Sequence, residues 1–144
     1  MPSILIVYNT KTGNTELMAK AVEEGAKTIQ GVEVILTYHA NPKDLQNADA
    51  IIVGAPTYNH QMTLDIQNLL EKAAQNNVTL KDKIAAAFGS YGWSGEAPKR
   101  VLEVLQNKFQ MKIIEPPVLA KYRPDEETLK KCKTTGKKVA ERLL

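Results

Sequence analysis

Two four-residue runs, Ile4-Leu5-Ile6-Val7 and Ala50-Ile51-Ile52-Val53, are apolar at every position, and each leads into a polar loop that contains glycine. A strand with one wet face alternates apolar and polar side chains. A continuous apolar run instead requires cover on both faces, as in a parallel sheet held between two layers of helix. These runs place strands at Ile4–Tyr8 and Ala50–Gly54, and three further apolar runs place strands at Val32–Tyr38, Ile84–Phe88 and Met111–Ile114. Between them apolar residues recur at helical spacing. They are Leu17, Met18, Ala21, Val22, Ala26 and Ile29, then Met62, Ile66, Leu69, Leu70 and Ala73. Later come Ala97, Val101, Val104 and Leu105, and finally Leu129, Cys132, Gly136, Val139, Ala140 and Leu143. Pro98 suits a first helical turn, and Asp125-Glu126-Glu127 puts negative charge where a helix dipole favours it. Pro42 to Asn47 leaves room for only a turn or two of helix. Strand and helix alternating in this way, with right-handed crossovers, predict a doubly wound α/β fold: a five-stranded parallel sheet with helices on both faces.

With 144 residues, 43% hydrophobic and 24% charged, the chain can close one core; no repeat or linker divides residues 1–144, which are expected to form one domain. No apolar run approaches the length of a membrane span, and no charged-then-apolar leader opens the chain, so the expected location is the cytoplasm. A single cysteine, Cys132, excludes an internal disulfide and a cysteine-rich metal site, and its place on an apolar helix face predicts burial. Residues 1–72 carry five lysines and eight acids, and residues 73–144 carry fourteen basic residues and eight acids. Much of the excess falls on the last helix, at Lys130, Lys131, Lys133, Lys137 and Lys138, and reads as a solvated basic face. Neither nucleic acid nor a membrane is called for.

In open sheets of this kind ligands bind beyond the carboxyl ends of the strands, which directs attention to three loops. The first, Asn9-Thr10-Lys11-Thr12-Gly13-Asn14-Thr15, joins a buried strand to a helix. Its helix start supplies unpaired N–H groups and a positive dipole end for a phosphate, and Thr10, Thr12 and Thr15 add hydroxyls. It has neither the Gly-Lys-Ser/Thr ending of a nucleoside triphosphate loop nor the three glycines of a dinucleotide fingerprint, so a phosphomonoester fits best. An ordinary turn capped by Thr12 is the bland alternative. The second loop, Gly54-Ala55-Pro56-Thr57-Tyr58-Asn59-His60, and the third, Gly89-Ser90-Tyr91-Gly92-Trp93-Ser94-Gly95, each join backbone-special residues to aromatics. Trp93 is the only tryptophan, and it stands outside any helical stripe, where an exposed indole calls for a flat partner. His39 and His60 read as surface residues and not as catalysts.

Thr10-Lys11-Thr12-Gly13-Asn14-Thr15 resembles the phosphate loop of the flavodoxins, and Gly89-Ser90-Tyr91-Gly92-Trp93 resembles the second flavin loop of their short-chain branch. Gly54-Ala55-Pro56-Thr57-Tyr58-Asn59 and Ser94-Gly95-Glu96-Ala97 are most similar to the flavodoxin domain of flavodiiron proteins. The resemblance implies strand order 2-1-3-4-5 and non-covalent FMN. It implies that the phosphate sits in Thr10, Lys11, Thr12, Gly13, Asn14 and Thr15. It implies that the isoalloxazine lies between Pro56, Thr57, Tyr58, Asn59, His60 on one side and Ser90, Tyr91, Gly92, Trp93, Gly95 on the other, with Trp93 on one ring face. It implies too that a carbonyl within Thr57–His60 accepts a hydrogen bond from the reduced N5–H. No glycine occupies that tip, so unusual backbone angles must be tolerated at Tyr58-Asn59.

The resemblance further implies a monomeric electron carrier between redox proteins, iron–sulfur or flavin enzymes among them, with no metal and no catalytic residue of its own. Because the chain opens on the first strand, no diiron domain is expected before it. Its sequence pI near 8.9 departs from the usual acidity of the family. The alternative with the same fold, an FMN-dependent NAD(P)H:quinone reductase, needs room for nicotinamide over the flavin, usually made by extra loop length or a second subunit. A phosphorylated receiver module would need an acid at the end of the third strand, where Gly54-Ala55-Pro56 stands.

Overall fold

A computed structural model describes residues 1–144. Its strands are β1 (Ser3–Tyr8), β2 (Glu33–Thr37), β3 (Ala50–Gly54), β4 (Ile84–Tyr91), β5 (Lys112–Ile113) and β6 (Val118–Lys121). Its helices are α1 (Asn14–Lys27), α2 (Pro42–Asn47), α3 (Leu64–Gln75), α4 (Glu96–Asn107) and α5 (Glu126–Arg142). All pairings are parallel and the order is 2-1-3-4-5, the doubly wound arrangement expected from the alternation. The two all-apolar runs lie side by side, Ile4 against Ala50 and Val7 against Val53. Ile4, Ile6 and Tyr8 face the layer that contains α1 and α5, while Leu5 and Val7 face the layer of α2, α3 and α4. The period-2 alternation of a strand thus loads both faces of one sheet.

The fifth position departs from expectation. Two segments fill it in place of one strand over Met111–Ile114: β5 pairs with Ile84 and Ala85, and β6 pairs with Phe88 to Tyr91. Glu115-Pro116-Pro117 lies between them, and proline has no N–H to donate to a ladder, so pairing stops and resumes. Pairing with β6 also carries β4 past Phe88 to Tyr91, so Gly89 and Ser90 belong to a strand.

The tightest helix contact is between α1 and α5. A Cβ on Gly25 would stand 1.9 Å from the Lys133 carbonyl oxygen, and one on Gly136 would stand 2.1 Å from that of Val22. The two backbones meet where only hydrogen fits. Cys132 is buried in this layer, as its place on the helix face predicted, and burial pushes its thiol up to about 12, which makes it unreactive. Asp125 caps α5 by accepting from the Thr128 N–H (2.8 Å), and Asn41 with Asp44 forms a capping box on α2. The helices after β1, β3 and β4 carry no such side-chain cap at their N-cap positions. No helix is long and apolar enough to cross a membrane.

Candidate functional site

A cleft of about 610 Å³ opens beyond the carboxyl ends of β1, β3 and β4. Lys11, Thr12 and Asn14 line it from the first loop. Gly13 precedes α1 in the left-handed conformation (φ 89°), which an ordinary side chain would resist, and its N–H donates to Thr10 Oγ1 (2.9 Å). Gly13 therefore takes the N-cap place that the bland reading gave Thr12, and no side chain closes the start of the helix. The first N–H groups of an α-helix have no partner within it. Thr15 is not at the mouth of the loop: it is fully buried, its hydroxyl 3.0 Å from Ser90 Oγ and accepting from the Ser90 N–H (3.3 Å). Thr15 is thus engaged inside the protein, Thr10 accepts from Gly13 at the edge of the loop, and Thr12 and Asn14 remain on the cleft wall.

The second loop is sewn to its neighbours. The Thr57 N–H donates to the Ser90 carbonyl (3.1 Å), and Thr57 Oγ1 accepts from the Ala97 N–H (2.9 Å) in the first turn of α4. The chain then reverses over Asn59-His60. Tyr58 and Gln61 exchange both backbone hydrogen bonds (2.9 and 3.0 Å), and Asn59 and His60 both take positive φ, 50° and 65°. The unusual angles expected near Tyr58-Asn59 therefore fall on Asn59 and His60. Lys11 Nζ lies 4.5 Å from the Tyr58 ring centroid, a cation–π contact joining the first two loops. Burial raises the Tyr58 hydroxyl above its ordinary value, against a hydrogen bond from the Lys11 backbone.

From the third loop come Ser90, Tyr91, Gly92, Trp93 and Ser94. Trp93 is 89% exposed, so it is no part of the core. Its ring centroid is 6.2 Å from that of His60. His60 Nδ1 is 2.7 Å from Glu96 Oε2 and 2.8 Å from Ser94 Oγ. Hydrogen bonds from Ser94 and then His60 hold the Glu96 carboxyl below its usual range. A second groove of about 470 Å³ adjoins the cleft and shares Lys11, Tyr58 and Asn59 with it.

A family model for flavodoxin matches residues 6–136. The chain belongs to the flavodoxin family. The anaerobic nitric oxide reductase flavorubredoxin of Escherichia coli is 36% identical over 145 aligned residues, which cover 95% of this chain and 29% of that protein. A flavodoxin structure from the domain Archaea superposes with a TM-score of 0.86 at 34% identity and 98% coverage of both chains. Rubredoxin:oxygen oxidoreductase of Desulfovibrio gigas superposes with a TM-score of 0.85 at 28% identity, over 98% of this chain and 36% of that one. The chain thus spans about a third of the length of the flavorubredoxin and of the oxidoreductase.

In this flavodoxin-family chain the cleft brings together Lys11, Thr12, Asn14, Thr57, Tyr58, Asn59, His60, Ser90, Tyr91, Gly92 and Trp93 of the residues read from the sequence. Thr10 lines the adjoining groove, Gly13 supports the helix start, Thr15 and Pro56 are buried behind, and Gly95 serves as the N-cap of α4. Sequence reasoning missed Tyr122. It stands 63% exposed on the cleft wall with φ 58°, its ring 3.2 Å from where a Cβ of Gly92 would lie. The strand-end rule, applied to the last strand as well, would have found it.

Proposed function

We propose that this chain binds FMN non-covalently in the 610 Å³ cleft and carries electrons between redox proteins. Trp93 carries the reading: an indole 89% exposed at the lip of a cleft is stable there when something flat covers it. The start of α1 suits the other end of the ligand. Its unpaired N–H groups, its dipole and the neighbouring Lys11 all favour a phosphate, and no side chain competes for the position. Thr12 and Asn14 would bond the phosphate oxygens, and Trp93 would cover one ring face. The 57–60 and 90–92 segments would meet the ring edges with backbone groups, as Thr57 is already fixed to Ser90 and Ala97. FMN, when bound, supplies the one- and two-electron chemistry. The chain supplies binding, orientation and exclusion of water from the covered face.

The experiment is direct. Purified protein should be yellow and release one FMN per chain on acid treatment. A colourless protein that takes up no FMN on titration refutes the proposal. The adjoining 470 Å³ groove is the observation that favours a second reading, an FMN-dependent NAD(P)H:quinone reductase, because a second ligand could lie against Tyr58 and Asn59 there. Steady-state NAD(P)H oxidation with a quinone separates the two: the carrier shows none, the enzyme turns over.

A further inference from the structure

We propose that Glu96, His60 and Ser94 form a clasp that positions the tip of the second loop and so sets the spacing between two walls of the cleft. The tip Tyr58-Asn59-His60-Gln61 is a two-residue hairpin with both central residues at positive φ. That turn ordinarily carries glycine at one or both places, because a Cβ there crowds the following carbonyl. Asparagine and histidine are among the side chains that adopt it most readily, and His60 is in addition tied down. What holds it comes from another segment. Nδ1 of His60 faces Glu96 Oε2 at 2.7 Å and Ser94 Oγ at 2.8 Å. A ring nitrogen facing a carboxylate carries its proton, so the clasp also fixes the tautomer.

Glu96 is itself constrained. It sits in the first turn of α4, where the dipole favours a carboxylate, and its other oxygen, Oε1, is enclosed with no hydrogen-bond partner. His60 is the short partner of Oε2, the other oxygen of that carboxylate. One residue on, the Ala97 N–H bonds Thr57. The second loop is therefore tied to one turn of α4 at two points, at its base through Thr57 and at its tip through His60. The wall bearing Tyr58 and the wall bearing Trp93 are held at a distance fixed by these ties, which makes His60 and Glu96 positioning residues.

The clasp needs no ligand, while its effect on flavin affinity rests on the function proposed above. Backbone amide exchange at Tyr58 and Gln61, followed by NMR on the full chain as purified and after flavin removal, reads the tip itself. His60→Ala removes the imidazole and keeps a Cβ at the turn, and the position is an exposed hairpin tip, so a folded variant is expected. His60→Ala and Glu96→Ala should each speed exchange at both amides about tenfold or more, and the double variant should go no further than either single. Amides of β1 and α5 should be unmoved. His60→Gln, whose amide can donate to Glu96, should recover part of the protection. FMN Kd should rise severalfold, by a similar factor in His60→Ala, Glu96→Ala and the double variant. Unchanged or slower exchange in His60→Ala, or additive effects of the two substitutions, overturns the clasp. Non-additive exchange in a protein that binds no FMN supports the clasp and refutes the flavin reading alone.

Discussion

Replacing Trp93 by alanine should leave the fold intact and loosen FMN. The side chain is 89% exposed, so truncation uncovers almost no core, and substitutions at such positions shift stability by less than about 0.5 kcal/mol. On the ligand side, a fully covered tryptophan buries about 150–250 Å². Cover on one face is roughly half of that, about 100 Å², or about 2.5 kcal/mol at ~25 cal/mol per Å². Fixing the indole torsions opposes this by up to about 1 kcal/mol. The net loss of about 1–2 kcal/mol corresponds to a roughly 5–30-fold rise in Kd. Titration of flavin-free protein with FMN gives the affinity, and urea unfolding of the same samples gives the stability. Because the chain has one tryptophan, its emission reports on this position alone, and it should be quenched in the holoprotein and recover on flavin removal. An unchanged Kd with unquenched emission would show that the indole does not cover the ring. A stability loss above about 1 kcal/mol in the flavin-free protein would contradict the exposure argument.

Riboflavin, which lacks the phosphate, should bind at least about 30-fold more weakly than FMN, since two or more charge-assisted hydrogen bonds of roughly 1–2 kcal/mol each are lost at the start of α1; equal affinities would remove that role from the first loop. Gly136→Ala should lower the urea midpoint, because a Cβ 2.1 Å from the Val22 carbonyl forces α1 and α5 apart at about 1–3 kcal/mol, against a gain in helix propensity of about 1 kcal/mol. A raised midpoint would mean that the seam yields. Lys137→Gln with Lys138→Gln should leave electron-transfer kinetics nearly unchanged across a salt series, since α5 begins at the cleft end and these lysines lie near its far end, beyond a Debye length of about 8–10 Å. Charge reversal at Lys99, in the first turns of α4 and in a surface pocket with Ser94 and Glu96, should alter the association rate, and a large effect from the α5 lysines instead would relocate the docking face. Glu96 and Asp125 are both held below the ordinary carboxylate range, by Ser94 with His60 and by the Thr128 N–H respectively. Their contribution is therefore complete above the unfolded-state values and lost as pH falls through the folded-state ones, so Glu96→Gln with Asp125→Asn should flatten the acid limb of a stability–pH curve. An unchanged limb would place the acid sensitivity elsewhere.

The features legible in the sequence are those that a local pattern carries. Ala50–Gly54 matches its strand residue for residue, because an uninterrupted apolar run admits no other placement in a covered sheet. At the sheet edge the same reasoning fails in detail: the apolar run predicts a strand over Met111–Ile114, while Pro116-Pro117 decides where pairing can continue. The first loop shows what a local pattern does not carry. Its three threonines look alike in the sequence, yet Thr10 accepts from the Gly13 N–H and Thr15 is buried against Ser90, which lies 75 residues away. The His60–Glu96 pair is separated by 36 residues and has no local signature at all. It follows from sheet order: β3 and β4 are neighbours, so their carboxyl-end loops must run side by side, and Thr57 lies against Tyr91 as their continuation. Once that order is known, an acid in the first turn of α4 and a histidine at the adjacent hairpin tip become a candidate pair. The order itself comes from burying two all-apolar strands at the centre. The contacts that shape the cleft are therefore a second-order consequence of the same apolar runs, reachable only through the three-dimensional arrangement those runs dictate.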